Sequence, residues 1–389
     1  MANTLTSLIP TIYEALDVVS REMIGFIPAV SRDTNAERAA VGQQILVPIT
    51  QAITAADTTP AVTAPNTGDA VITNVSMAIT KSRHAPIRWN GEEQRGLINA
   101  GSYNGILKNQ FVQAFRTLTN EIETDLFNAS YQFSSRAYGT AGTTPLGTNG
   151  DLSDIAQVRK ILDDNGAPQT DLQLVLGSSA VANLRGKQAL LLRLNESGSS
   201  ALLRGGSISD LPIEGFNLYN SNAIQAITKG TGASYTSNTA GYAIGATDIT
   251  LITGTGTVLA GDVVTFTGDT NQYVVTTGVA APGTITIASG LKKALAASAV
   301  AMTIVATSTP NMAFSRSAIQ LITRAPASPV NPDGSAMDMA DDVIQVTDPV
   351  TGMVFEVAVY RQFMQLVYHV RLAWGVKAIK SAHIATLLG

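Results

Sequence analysis

Leu107, Phe111, Phe115, Leu118, Ile122, Leu126, Ala129 and Phe133 recur at alternating four- and three-residue steps, the spacing that stacks side chains on one face of an α-helix. They predict a helix from about Tyr103 to Phe133, with Gly101 and Ser102 before it and Gly139 after it. At about 1.5 Å per residue that helix is roughly 45 Å long. A coiled coil would also cover such a stripe, but aromatic residues are frequent in it and flanking charge pairs are few. The C-terminal segments Val354–Tyr360, Gln365–Trp374 and Val376–Ile379 are long and alternating. They predict an antiparallel sheet lying under the helix.

A second feature is a stretch nearly free of charge. Between Arg38 and Lys81 there is no Lys or Arg, and Asp57 is the one charge from Thr50 to Gly68. Gln44–Ile49 reads as a strand, with Pro48 marking it as an edge strand. Residues 69–80 read as a second extended run. The Thr-, Ala- and Pro-rich link between them is too long for a compact domain, so the pair predicts a projecting hairpin that reaches a neighbouring molecule.

Elsewhere the chain alternates. Leu8, Ile12, Leu16, Val19 and Met23 have helical spacing, which Gly25 and Pro28 interrupt. Asp151 caps a helix ending at Asn165-Gly166, Leu172–Leu176 is a buried strand, and Ser178–Arg185 a short helix. This is the pattern of a compact α/β unit. Residues 224–309 are dominated by Thr, Gly, Ala and Val. Short strand candidates at 249–252, 263–267, 273–276, 284–287 and 302–305 predict a small all-β barrel or sandwich. Helix-and-strand sequence flanks this block on both sides, which marks it as an insertion.

The chain of 389 residues is 14% charged and 45% hydrophobic, with net charge −4. A surface so poor in charge suits a protein packed against copies of itself, since few charges need desolvation. It suits a weakly charged secreted β-protein equally well. The net charge argues against a basic nucleic-acid-binding face. With no cysteine, disulfides, thiolate nucleophiles and Cys-ligated zinc are impossible. We see no secretion signal and no membrane-spanning apolar run, so synthesis in a cytoplasm is expected.

Catalytic signatures are weak. His84, His369 and His383 are too far apart for a helical metal pair. His369 reads as a core or interface residue. There is no Gly-x-Ser-x-Gly elbow, and Gly254-Thr-Gly256 precedes a strand rather than a helix. No catalytic, cofactor or metal site is expected.

The opening Asn3–Glu22, Val258–Phe266, Asn311–Leu321 and Leu372–Ile379, taken with the order of parts, resemble the Hong Kong 97-like capsid proteins of tailed phages. The branch they resemble most is that of the short-tailed Salmonella phage coat proteins, which carry an inserted β-barrel. The resemblance implies an α+β capsid fold. Its parts are an N-terminal arm (1–40), an extended hairpin loop (41–92), a spine helix with peripheral domain (93–150), an axial domain (151–223 and 311–340), an inserted barrel (224–310) and a closing sheet (341–389). It implies a virion protein made in the bacterial cytoplasm, with itself as partner in pentamers and hexamers. Scaffolding and portal proteins, and packaged DNA held without sequence specificity, complete the expected partners. Val62, Ala64, Pro65 and Asp57 on the hairpin, and Leu8, Ile12 and Leu16 on the arm, are the expected intersubunit contacts. A non-enzymatic adhesive or carbohydrate-binding surface protein is the alternative.

One relative of this fold joins a hairpin Lys to a neighbour's Asn. The present hairpin has no amine between Arg38 and Lys81, so no such isopeptide is expected. Denaturing electrophoresis of mature particles should give a single monomer band, whereas a ladder of covalent multimers would contradict this.

Overall fold

The computed structural model describes residues 11–12, 14–16, 24–50, 55, 57–60, 62–63, 72–99, 103–187, 212–331, 337–348 and 351–389. The long helix spans Tyr103–Gln132, 30 residues. Leu107, Phe111, Phe115, Leu118, Ile122 and Leu126 are buried along one face, as the spacing predicts. Phe133 is a correction: it lies past the helix end and is 43% exposed. The chain leaves the helix there because Ser135 is drawn into a sheet, its N–H donating to the Ile384 carbonyl at 2.8 Å.

The partner of the helix is a six-stranded sheet. Its central strand, Gln365–Ala378, has 14 residues. At about 3.3 Å per residue it runs roughly 45 Å, the length of the helix. One edge of this strand pairs with Val354–Gln362 along its first half and with Ile319–Pro326 along its second. Its other edge pairs with Lys81–Asn90. Side chains alternate across it: Tyr368, Val370, Leu372 and Trp374 face the helix in the main core. Ring contacts bind the layers, Phe111 on Tyr368 at 5.6 Å and Phe115 on Phe355 at 5.1 Å. Each such buried aromatic contributes about 1.5–3 kcal/mol through burial.

The N-terminal segment joins this body. Ser31–Ala39 lies parallel to Ile319–Pro326 at the sheet edge. The short helix Phe26–Ala29 includes Pro28, which a first turn tolerates because its missing N–H has no intrahelical partner. Pro28 therefore sits inside a helical turn rather than ending one.

Besides a two-stranded hairpin, the other sheet has ten strands. One part is the expected α/β unit, with Leu172–Leu176 at its centre and helices Ser153–Asp164 and Ser178–Lys187 around their own apolar cluster. Asp151 does not occupy the cap position. Leu152 does, and the Asp151 carboxylate accepts the Ser153 N–H at 2.8 Å. The β-rich block has a separate core built on Tyr235, Phe266, Tyr273, Ile285 and Ile304. Strand pairing runs from Met302–Ile304 through Val263–Phe266, Gln272–Thr277 and Thr284–Ile287 to Asp248–Thr250. It returns through bridges Ser237 to Leu251 and Thr236 to Ala301. The block is not detached. Arg136–Tyr138, just after the long helix, pairs with both Gln272–Thr277 and Ile384–Leu387, so one sheet continues from block to lobe.

Candidate assembly surfaces

The hairpin strands are Gln44–Thr50 and Ile72–Ala78, paired antiparallel from Gln44 with Ala78 to Thr50 with Ile72. The root of the hairpin is fixed. Met77 and Ile79 are buried against Ile322 and Ala373 on the sheet face away from the helix. Just beyond, the Lys81 ammonium contacts Glu121 at 3.0 Å and Asp125 at 2.8 Å. Asp125 also accepts the Trp374 indole N–H at 2.8 Å, so one carboxylate joins hairpin root, helix and sheet.

Gly375 makes the seat possible. A Cβ at this position would overlap the Ala78 carbonyl oxygen. Gly375→Ala should lift the root off the sheet and cost about 1–3 kcal/mol, the range for overpacking. Urea denaturation checks this. A variant as stable as the parent would mean that the root is not seated as described.

Past the strands the described residues bury nothing. Residues 57–60 are exposed, Val62 fully so. Asp57 and Val62 thus stand in solvent where the sequence placed its neighbour contacts. Ala64, Pro65 and Leu8 lie outside the described residues. Ile12 and Leu16 are placed otherwise: both are buried in the chain's own main core. Their helical spacing turns them toward the body, and they are not surfaces free for a neighbour.

Behind them stands a clamp the sequence reading missed. Glu123 is 4% exposed. Its carboxylate accepts the N–H of Phe26 at 3.0 Å, of Ile27 at 2.7 Å and of Gly25 at 3.3 Å, and the Ser221 hydroxyl at 2.8 Å. Burial pushes its pKa up, and these donors pull it partly back. Glu123 ties the N-terminal segment, the long helix and the lobe at one point. Its sequence signal was a four-residue step, Thr119, Glu123, Phe127, along the edge of the apolar stripe.

Beside the hairpin root a groove of about 720 Å³ runs between the long helix and strand Lys81–Asn90. Ile87, Ala114 and Leu118 are among its apolar lining residues, and Gln110, Gln113 and Thr117 line it from the helix. Arg83 stands on its strand side and pairs with Glu121 on its helix side, while Arg88 alternates onto the outer sheet face with His84 and Pro86.

The outer face of the sheet carries a polar network. Glu356, fully buried, lies between Arg38 at 2.6 Å and Arg371 at 2.7 Å. Arg371 also contacts Asp338 at 3.1 Å and the Tyr360 hydroxyl at 2.7 Å. Beside it the rings of His84 and His369 stack at 4.7 Å, bringing together two histidines far apart in sequence. Among the described residues no cluster of three His, Cys, Asp or Glu could hold a metal.

Burial holds the His369 pKa below its ordinary 6.5, and the nearby His84 and Arg371 lower it further against the opposing Asp338. A depressed histidine pKa means that the unfolded chain takes up the proton first. Its stabilising contribution is therefore full above about pH 6.5 and is lost as pH falls through the folded value. His369→Gln should flatten the loss of stability between neutral pH and pH 5, read by urea denaturation at each pH. An unchanged slope would remove His369 as its source.

The chain is similar to solved structures of viral particles. Over 91% of this chain and 86% of the other it matches the capsid structure of the cyanophage P-SCSP1u, at 10% identity and a TM-score of 0.48. It matches a virus-like particle from Pyrococcus furiosus over 98% and 100% of the two chains, at 9% identity and a TM-score of 0.44. A structure from Mycobacterium phage Che8 matches over 89% and 84%, at 12% identity and a TM-score of 0.44. No family model and no curated protein matches the sequence.

Proposed function

We propose that the chain is the major capsid protein of a tailed double-stranded DNA bacteriophage, assembling from pentamers and hexamers into an icosahedral head around the genome. One observation carries this reading. The hairpin is anchored at its root by buried contacts and charge pairs, while its described tip residues bury nothing on their own chain. An uncharged extended arm gains stability only when another surface covers it, and a further copy of the chain supplies that surface. Asp57, Val62, Ala64 and Pro65 are the proposed contacts.

The finer resemblance, to coat proteins with an inserted barrel, is supported by the ring of strand pairing around a separate core within residues 233–304. In this reading the block stiffens the subunit. Scaffolding and portal proteins assist assembly, and DNA is enclosed without sequence-specific contact, in keeping with a net charge of −4.

Negative-stain microscopy of the purified chain tests the proposal. Closed shells or ring-shaped capsomers are expected. A chain that stays monomeric at every concentration and salt tested refutes it.

A further inference from the structure

We propose that Pro86 closes the open edge of the six-stranded sheet to strand addition, so that a second copy of the chain does not join it there edge to edge. The inference concerns the isolated subunit and holds whether or not the chain builds a shell.

Strand Lys81–Asn90 pairs with the central strand on one side and, among the described residues, with no strand on its other side. An open edge of 10 residues is a template for another strand. The register decides which backbone groups face outward. The Gly91 N–H donates to the Met364 carbonyl at 3.2 Å, in step with Asn90 opposite Gln365. Bonded and non-bonded pairs alternate along an antiparallel ladder. Trp89, Ile87, Ala85 and Arg83 therefore bond inward to the central strand. Ser82, His84, Pro86, Arg88 and Asn90 turn their backbone groups to the open side.

Two of these outward positions offer no donor. Pro86, at the centre, has no N–H. The Asn90 N–H points to the Glu93 carboxylate at 3.4 Å, while the Asn90 side chain accepts the Glu93 N–H at 2.7 Å. This reciprocal pair starts the next helix and occupies the end of the edge. Ser82 and His84 remain on one side of the gap and Arg88 on the other. A proline facing the central strand would delete a ladder bond. Facing outward, Pro86 leaves the fold's own pairing whole.

The strand this edge would meet is its own counterpart in a second copy, because two antiparallel copies about a two-fold axis present the same residues to each other. Centred on Pro86, that pair lacks both bonds that the two prolines' positions would otherwise exchange. It also sets Arg88 opposite His84. No Asp or Glu lies between Lys81 and Asn90, so the approaching strands carry like charge, which is destabilising across a pair.

Returning the missing donor tests the proposal. Pro86→Thr adds an N–H together with a side chain favoured in strands. Sedimentation velocity of the unassembled subunit should then show severalfold more dimer and larger species than the parent. Ser82→Thr places the same side chain on the same face of the same edge without adding a donor, and should leave the distribution unchanged. Adding His84→Pro to the Pro86→Thr chain puts a proline back at the neighbouring outward position and should restore the parent distribution. A Pro86→Thr subunit as monodisperse as the parent overturns the proposal. Equal association of Ser82→Thr also overturns it, by tracing the effect to the side chain, and so does association that persists once a proline is returned.

Discussion

Removing residues 54–66 leaves a chain that folds and melts as the parent does and yields no shells. The described residues of this stretch bury nothing, and surface changes away from buried contacts usually fall within about 0.5 kcal/mol. The root stays seated through Met77, Ile79 and the Lys81 pairs. Assembly responds differently. A subunit in a closed shell is held at several sites at once, and losing one of them multiplies through every copy. Sedimentation velocity should show a compact monomer and microscopy no particles. Normal shells from this deletion would refute the role of the hairpin.

Glu123→Ala should be strongly destabilising, costing about 3–5 kcal/mol, as loss of one partner from a buried charged cluster does. The substitution strands three backbone N–H groups and the Ser221 hydroxyl in the interior. An unpaired buried donor costs about 1–3 kcal/mol. Those N–H groups belong to the segment that continues into strand Ser31–Ala39, so the sheet edge should loosen as well. Glu123→Gln keeps one acceptor oxygen and should recover part of the loss. Urea denaturation with amide exchange across residues 24–39 reads both effects. A variant within about 1 kcal/mol of the parent, the size of a single ordinary hydrogen bond, would show that no clamp exists.

The parts that could be read from sequence are those whose residues repeat. The long helix declares itself through a stripe sustained over eight turns or so, and the hairpin through two extended runs around a link without charge. The α/β unit followed from alternating helical and apolar-run segments. What could not be read depends on residues distant along the chain. Arg136–Tyr138 is three residues with no pattern, yet it joins the β-rich block to the lobe sheet. Arg38, Glu356 and Arg371 look like scattered charges until two sheet partners set them side by side. His84 and His369 meet only because Lys81–Asn90 pairs with the central strand. Ile12 and Leu16 show a related limit: helical spacing identifies an apolar face but not which body covers it, and here it is their own.

The hairpin tip, bare on one chain, is expected to be covered in the particle, and the absence of cysteine allows a direct measurement. With Val62→Cys as the only thiol, maleimide labelling compares the free subunit with assembled particles. Labelling of the subunit should be rapid, and labelling in the shell at least about tenfold slower, as burial restricts access to the thiolate. Equal rates in the two states would contradict it.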